Sequence, residues 1–259
     1  MQPTGFRWII TGFRAPVSGF FPVRHATTIM LPPDQLLLHP NEPVNLQIYR
    51  VLRRSIVNCT FLPGEPISDK DISEAFGVSR QPVRDAFIKL AAAGLIQVLP
   101  QRGTFVMKIS LKRVENGRFI REAIEVAVVE RVASAITVAQ LQTLADVIGR
   151  QELAAAQGDA SGFLGLDDEF HSSLARMIDC ADAWDLIEDI KAHMDRVRYL
   201  SLGDVTPLPA LIAQHKVILE GLRSRDPAKA GEAMHRHLTE INASFGPIKS
   251  RNPAWFVAD

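Results

Sequence analysis

Cysteine is nearly absent from this sequence, which has only Cys59 and Cys180 in 259 residues. Two cysteines so far apart cannot form the dense disulfide framework of a small secreted protein, and they are typical of a reduced, cytoplasmic protein. We interpret both as small core side chains. Apolar runs of about 20 residues, the length that crosses a membrane, are lacking too. The sequence therefore excludes a disulfide scaffold and predicts no membrane partner.

An excess of either charge is also lacking, because 29 Lys and Arg balance 29 Asp and Glu. The charges are nevertheless unevenly distributed along the chain. Residues 44–108 hold nine basic and five acidic side chains, whereas residues 109–259 hold seventeen and twenty-two. The length allows two domains, each with its own core. A basic module joined to an acidic one indicates that the first meets an anionic partner.

Residues 44–108 follow the pattern of a winged helix-turn-helix. A helix with apolar spacing is interrupted at LPGEP (62–66), Ser68 caps a second helix, and Ser79 caps a third. Two short β-rich runs around the turn PQRG (100–103) complete the module.

Two arginines, Arg80 and Arg84, lie one turn apart at the start of the third helix. Structural arginines usually lie at helix C-termini, where they complement the helix dipole, so this pair indicates an anionic partner. An arginine can bind a guanine edge through two hydrogen bonds, or a phosphate. The alternative is a solvated basic face.

The stretch LPGEPISDKDISEAFGVSRQPVRDAFIKLAAAGLIQVLPQRGTFV closely resembles the DNA-binding domain of the GntR family of bacterial transcription regulators. The resemblance implies that a homodimer places two such third helices on a palindromic operator. Together with the pattern above, it points to DNA contacts by Lys70, Ser79, Arg80, Arg84, Arg102 and Gly103. Gly103, at the tip of the wing, would let the backbone approach the DNA closely.

Residues 114–247 are predicted to form six helices in an antiparallel bundle, because the connections between the helical segments are short. Residues 109–113 are interpreted as a linker and residues 248–259 as a tail. The predicted fold is mainly α, with an N-terminal winged helix-turn-helix and a C-terminal all-α bundle.

Four metal-ligating side chains interrupt the apolar stripes of three of these helices. Asp167 and His171 share one stripe at i, i+4 spacing, and His215 and His237 lie singly on two others. A lone histidine on a core face is usually structural, but a buried carboxylate must be paired, and a divalent cation pairs it with neutral imidazoles. We predict one transition metal per subunit, either Zn, Ni, Mn or Fe, since this donor set suits them better than Ca or Mg.

The segments LDDEFH, QHKVILEGL and EAMHRHL look like the FCD ligand-binding domain of the FadR branch of the same regulators. Six helices rather than seven resembles its VanR-type subgroup. Most members bind a metal at positions matching Asp167, His171, His215 and His237. REAIE resembles the first helix of that domain and implies that Arg121 faces the effector. The fatty-acyl-CoA sensor of this branch lacks the metal set, so the resemblance does not imply acyl-CoA.

These features predict a transcription regulator whose helical domain binds a small carboxylate or hydroxy-acid at the metal, with Arg121 as a further contact. Effector binding would shift the bundle and change the separation of the two wings. One alternative is a constitutive DNA-binding protein whose histidines only stabilise the bundle. Another is a metallohydrolase fused to a DNA-binding domain. Asp168 and Glu169 fall off the metal stripe, so the pattern places no general base there.

Residues 1–43 are proline-rich, aperiodic and free of acidic residues before Asp34. This composition predicts a disordered extension, of which residues 1–30 should be dispensable for folding. Two origins fit it: a basic arm that adds non-specific DNA affinity, or a start assigned too early, with the biological protein beginning at Met30.

Overall fold

The computed structural model describes residues 36–202 and 205–258, so most of the predicted extension, residues 1–35, lies outside the described residues. The mainly helical fold is confirmed, with a small N-terminal sheet. In chain order the elements are α1 (Val44–Val57), β1 (Pro66–Ile67), α2 (Asp69–Phe76), α3 (Arg80–Ala92), β2 (Ile96–Leu99), β3 (Gly103–Val106), α4 (Leu111–Ala135), α5 (Val138–Ala156), α6 (Ala160–Met177), α7 (Ala181–Ile190), α8 (Ala192–Ser201), α9 (Leu208–Arg223), α10 (Pro227–Thr239), α11 (Asn242–Arg251) and a 3-10 helix (Pro253–Trp255).

The winged helix-turn-helix consists of α1, α2, α3 and a sheet of strand order β1-β3-β2. The predicted hairpin is present, with Leu99 of β2 opposite Gly103 of β3. A third strand, which the sequence pattern does not reveal, pairs Pro66 with Phe105 on the other edge of β3. The three helices enclose an apolar core that includes Ile48, Leu52, Ile72, Val83 and Leu90.

The helix ends in this domain follow local sequence signals, with one exception. The Ser68 hydroxyl accepts a hydrogen bond from the Asp71 backbone N–H at 3.3 Å and caps α2. Gly94 follows α3 in the left-handed conformation, with φ of +70°. Ser79 stands at the N-cap position of α3, but its side chain makes no capping hydrogen bond within the described chain. The predicted N-cap position is thus confirmed, but the capping hydrogen bond expected there is not formed, and the exposed Ser79 hydroxyl is left for other partners.

The C-terminal domain is a helical bundle in which α4 packs against α6, α7, α8, α9 and α10. Two of the six predicted helical segments are each divided into two helices, at Lys191 and at Glu240, so the described residues between 111 and 251 form eight helices instead of six. Neither break contains a glycine or proline, so the sequence pattern predicts one continuous helix across each of them. None of the helices in the described part of the chain is long and apolar enough to cross a membrane.

The domain edges differ from the predicted boundaries. Helix α4 already begins at Leu111, so only Ile109 and Ser110 of the predicted linker 109–113 precede it. The buried Ile109 accepts a backbone hydrogen bond from Val257 at 2.9 Å. The predicted tail 248–259 is thus partly helical and folds back onto this connection, because Phe256 joins a small apolar core beside Ile109.

The described end of the N-terminal segment packs on the winged helix. Leu36 and Leu38 contact its apolar core. The Gln47 side chain in α1 donates a hydrogen bond to the His39 carbonyl at 2.9 Å and accepts one from the His39 N–H at 2.7 Å. The winged-helix domain therefore starts before residue 44, because Gln47 satisfies the backbone of the preceding turn.

The two domains meet along α1 and α8. The winged-helix core includes Ala192 at the start of α8. Next to it, His193 Nε2 lies 3.0 Å from the Gly94 carbonyl oxygen, and His193 Nδ1 accepts a hydrogen bond from the Ser110 N–H at 3.3 Å. Arg196 donates to the Met107 carbonyl at 2.6 Å. These contacts give His193 a structural role at the junction of the two domains.

Stability should depend on pH through His193. Burial lowers its pKa to about 4, and the charges of Arg196 and Arg113 act in the same direction. Below its ordinary pKa near 6.5 the unfolded chain binds a proton that the folded protein excludes, so the free energy of unfolding falls as the pH drops from 6.5 towards 4. The shift corresponds to about 3 kcal/mol.

Urea denaturation at several pH values checks this expectation. His193→Gln should reduce the pH dependence between 6.5 and 4.5 and leave the part due to the other buried histidines, His215 and His237, whereas His235→Gln, at an exposed histidine, should leave the whole dependence unchanged. An unaltered slope in His193→Gln would contradict this assignment.

Candidate metal centre and nucleic-acid interface

The four predicted metal ligands meet in the core of the bundle. Helix α6 carries Asp167 and His171, α9 carries His215 and α10 carries His237, and all four are buried. One ligand atom from each lies within 4.8 Å of the others. The Nε2 atom of His237 is 3.1 Å from Nε2 of His171 and 3.3 Å from Nε2 of His215.

The orientation of His215 is fixed by a glutamine that the sequence analysis missed. His215 Nδ1 lies 2.8 Å from Gln151 Oε1. The amide nitrogen of Gln151 donates to the Leu166 carbonyl at 3.2 Å, which leaves its oxygen towards the imidazole. An amide oxygen only accepts, so the proton of His215 is on Nδ1 and its Nε2 carries a lone pair.

The other two imidazoles have the same arrangement. His237 Nδ1 lies 2.8 Å from Gln214 Oε1, and His171 Nδ1 contacts a carboxylate oxygen of Glu125. With each Nδ1 facing an acceptor, all three Nε2 lone pairs converge on one point. Lone pairs about 3 Å apart cannot satisfy one another, whereas a cation between them satisfies all three.

Asp167 completes this donor set. Burial by itself would raise its pKa, but the positive charges beside it, chiefly Arg198, hold the pKa well below the ordinary value and keep the carboxylate ionised. One oxygen pairs with Arg198. The other, Oδ1, lies 3.5 Å from His215 Nε2 and has no hydrogen-bond donor among the described residues. This orphaned oxygen fits a metal ligand.

The protonation states suit a metal as well. Burial lowers the pKa of His215 to about 3, although the Asp167 charge opposes that shift. Burial also lowers the pKa of His237 well below its ordinary value, with repulsion from His215 in the same direction. Both imidazoles are thus neutral at neutral pH, the form that binds a metal.

Arg121, predicted to face an effector, lies beside these ligands. Its side chain is buried and paired with Glu125, and its Nη2 has no hydrogen-bond partner within the described chain. Arg121, Asp167, Arg198 and His237 line one narrow cavity of about 40 Å³. Two positive groups and an ionised carboxylate therefore surround the same small space.

Asp168 and Glu169, which the sequence pattern places off the metal stripe, point to other partners. Lys191 Nζ lies 2.7 Å from Asp168, and Arg150 pairs with Glu169. Both carboxylates are engaged in ion pairs with basic side chains, and Asp168 also lies 3.5 Å from Arg198, the partner of Asp167.

A line of ion pairs runs from the metal ligands to the winged helix. Arg198 pairs with Asp167 and approaches Asp195 at 3.4 Å. Asp195 is in turn 3.1 Å from Arg53 of α1. We call Asp167, Arg198, Asp195 and Arg53 the interdomain charge chain. Only Asp167 was predicted from sequence. Arg198–Asp195 is an i, i+3 pair within α8, but the contacts of Arg198 with Asp167 and of Asp195 with Arg53 join residues distant in sequence.

The predicted DNA contacts lie on exposed parts of α2, α3 and the wing. Lys70 retains 67% of its side-chain exposure. Gly103, at the β2–β3 turn, has φ of +102°, a conformation that favours glycine. The predicted set is Lys70 in α2, Ser79 before α3, Arg80 and Arg84 in α3, and Arg102 and Gly103 in the turn.

Asp69, the first residue of α2, contacts both arginines of α3. Asp69 Oδ1 lies 2.5 Å from Arg80 Nη2, and Asp69 Oδ2 lies 2.9 Å from Arg84 Nε. The arginines lower the pKa of Asp69, Arg80 most strongly. The role of Asp69 is not apparent from the sequence, because it lies eleven and fifteen residues before its partners.

The sequence matches two known families in succession. Residues 45–106 match the family described as "Bacterial regulatory proteins, gntR family", and residues 118–240 match the FCD domain. The first segment contains the proposed DNA contacts and the second contains all four candidate metal ligands.

Individual relatives agree with these matches. The chain is 50% identical to the HTH-type transcriptional repressor RspR of Escherichia coli (strain K12), over 85% of this chain and 96% of the relative. It is 32% identical to an uncharacterized HTH-type transcriptional regulator in an unstable DNA locus of Streptomyces ambofaciens, over 82% and 89% of the two chains. The fold is similar to that of E. coli McbR/YncC, with a TM-score of 0.70 at 18% identity, covering 79% and 98%.

Proposed function

Because this chain belongs to the gntR family of bacterial regulatory proteins and carries an FCD domain, we propose that it represses transcription as a homodimer, under the control of a small carboxylate bound at a metal centre. The chain is a DNA-binding transcription regulator and not an enzyme. The observation that carries the proposal of control is the convergence of three Nε2 lone pairs and one orphaned carboxylate oxygen.

Asp167, His171, His215 and His237 would hold one divalent transition metal, either Zn, Ni, Mn or Fe. The bound ion would supply positive charge and coordination positions for the oxygens of an acidic ligand. Gln151, Gln214 and Glu125 keep the imidazoles turned with Nε2 inwards, so the donor set is formed before the ion binds.

Arg121 favours an acidic effector. Its buried Nη2 lacks a partner within the described chain and can donate to a carboxylate in the cavity it shares with Arg198. Ser201 and Thr206 also line that cavity and offer hydroxyl groups. A carboxylate that also carries hydroxyl groups would match both kinds of contact.

The interdomain charge chain supports a route from this site to the DNA. An effector that competes for Arg198 would weaken the pairing of Arg198 with Asp167 and Asp195. Since Asp195 also holds Arg53 of α1, the position of the winged helix then depends on the occupant of the cavity. Only a ligand that favours one of the two arrangements can shift their populations.

A second copy of the chain would dock on an exposed apolar face of α4 and α7. Phe119 and Ile120 of α4 keep 66% and 38% of their exposure, and Leu186 of α7 keeps 51%. The two helices are close, because a Cβ atom at Gly117 would lie 3.1 Å from the Ile190 carbonyl oxygen. Docking of a second copy would remove these apolar side chains from water. The resulting dimer would present two recognition helices to a palindromic operator.

DNA recognition should depend on named side chains. With duplexes selected by the protein from a random pool, Arg84→Ala should abolish specific binding, and Arg80→Ala should weaken it by tenfold or more, since a good bidentate base contact is worth about 1–3 kcal/mol. Lys70→Ala should reduce the salt dependence by about one unit of slope, as for one lost phosphate contact.

Binding titrations at several salt concentrations measure both effects. Lys89→Ala, at an exposed basic residue near the other end of α3, is the matched control and should bind as the wild type does. Unchanged specific affinity in both arginine variants would show that α3 is not the recognition helix.

Metal removal should destabilise the bundle. A metal that binds only the folded state adds about 4 kcal/mol at a thousandfold excess over Kd. For a domain of this size chelation should therefore lower the melting temperature by about 10 °C. Elemental analysis and thermal melts of protein purified without a His-tag, then supplied with Zn, Ni or Mn, measure both properties.

Two histidine variants serve as test and control. His215→Ala should remove the sensitivity to chelation while the winged helix stays folded, whereas His235→Ala, at an exposed histidine, should keep it. If none of the metals stays bound to the wild type, the four residues form a hydrogen-bonded cluster instead.

Coupling between the domains should depend on Arg53. We expect chelation to change the operator affinity of the wild type at least fivefold. In Arg53→Gln the ratio of operator affinities with and without metal should fall towards one, while the metal affinity stays unchanged. Arg50→Gln removes an exposed α1 ion pair with Glu42 and should respond as the wild type does. A full response in Arg53→Gln would exclude the interdomain charge chain as the route.

A further inference from the structure

We propose that Asp69 determines the sequence specificity of the DNA-binding domain by holding Arg80 and Arg84 in the geometry that reads base edges. This inference rests on the proposed DNA contacts of those two arginines. Asp69 is the first residue of α2, which directly precedes α3, so its carboxylate bridges the two helices of the helix-turn-helix. The three side chains form a fork with the carboxylate between the two guanidinium groups.

Each oxygen of the Asp69 carboxylate takes one arginine. Arg80 donates through Nη2 at 2.5 Å and Arg84 through Nε at 2.9 Å. The Nε contact leaves both terminal amino groups of Arg84 outside the pair, and these are the groups with which an arginine can bind a guanine edge through two hydrogen bonds. The arginine side chains stay about half exposed, at 51% and 56%, whereas Asp69 keeps 20%. The fork therefore fixes the guanidinium groups without covering them.

Stability does not account for this arrangement, because ion pairs at exposed side chains contribute little to folding. Binding is a different matter, since a free arginine loses much of its rotamer freedom when it contacts DNA. Asp69 restricts the rotamers of both arginines before DNA binds. A carboxylate this close to the contact surface also repels phosphate groups. Both effects favour base contacts over backbone contacts.

A neighbouring acidic residue provides the matched control. Asp71 lies in the same first turn of α2, so it has the same charge and a similar relation to the helix dipole. Within the described chain Asp71 forms no ion pair with either arginine. Replacing Asp71 by Asn therefore changes the charge near the DNA without releasing the fork.

The test compares specific with non-specific affinity. Duplexes are first selected from a random pool by the wild-type protein, and Kd is measured for the selected duplex and for a scrambled duplex of the same composition. Asp69→Asn should lower the ratio of the two affinities at least tenfold, with equal or tighter binding of the scrambled duplex. Asp71→Asn should keep the ratio within about twofold of the wild type. Asp69→Glu, which retains a carboxylate, should keep more of the ratio than Asp69→Asn.

The outcomes separate this inference from the proposed DNA contacts. If Arg84→Ala loses specificity but Asp69→Asn keeps it, the arginines read DNA without Asp69 and the inference is wrong. An equal loss in Asp71→Asn would also overturn it, because charge alone would then explain the effect. If neither arginine variant changes specificity, the proposed contacts themselves fail. Thermal melts of the Asp69 and Asp71 variants should match the wild type, which shows that each variant is folded.

Discussion

The buried negative charge of Asp167 is the constraint around which the C-terminal domain is arranged. An ionised carboxylate in a helical core is costly unless it is paired. Here Arg198 pairs with one oxygen, and the other faces the imidazoles across a gap that a cation would fill. Burial keeps His215 neutral, so the imidazoles offer lone pairs rather than protons. One charge therefore accounts for both the donor set and the positive groups beside it.

The same charge links the two halves of the molecule. Arg198 lies between Asp167 and Asp195, and Asp195 reaches Arg53 in the winged helix. The winged helix itself has an apolar core and carries its functional charges outside, on α2, α3 and the wing. Ion pairs at the seam thus connect a polar centre in one domain with a domain whose polar surface carries the predicted DNA contacts.

The local sequence pattern was sufficient to predict a feature where the positions of a few residues within one segment mark it. The four candidate metal ligands were identified because helical periodicity places them on core stripes, and the β2–β3 hairpin was identified because the turn PQRG separates two β-rich runs. The breaks at Lys191 and Glu240 were missed, since neither contains glycine or proline. Long-range pairs were missed because the pattern of one segment does not show which distant segment packs against it.

Gln151 is an example of a long-range pair within the site. Its role in orienting the His215 imidazole becomes visible only when its helix packs beside α9, because nothing in the local sequence marks this glutamine. The pairing of Glu125 with Arg121 could have been predicted from the sequence, because Glu125 lies one turn after Arg121 on the same helix. The packing of Phe256 against Ile109 could not be predicted, because almost 150 residues separate the two.

The X-ray absorption spectrum of protein loaded with one zinc per chain tests the central claim most directly, because it reports which atoms bind the ion. The account predicts about three imidazole nitrogens at about 2.0–2.1 Å, with the outer-shell scattering of their rings, and at least one oxygen at a similar distance. In His215→Ala the imidazole scattering should decrease from three rings to two. A wild-type spectrum without imidazole scattering, or one with sulfur from Cys59 or Cys180, would contradict a metal centre built by Asp167, His171, His215 and His237.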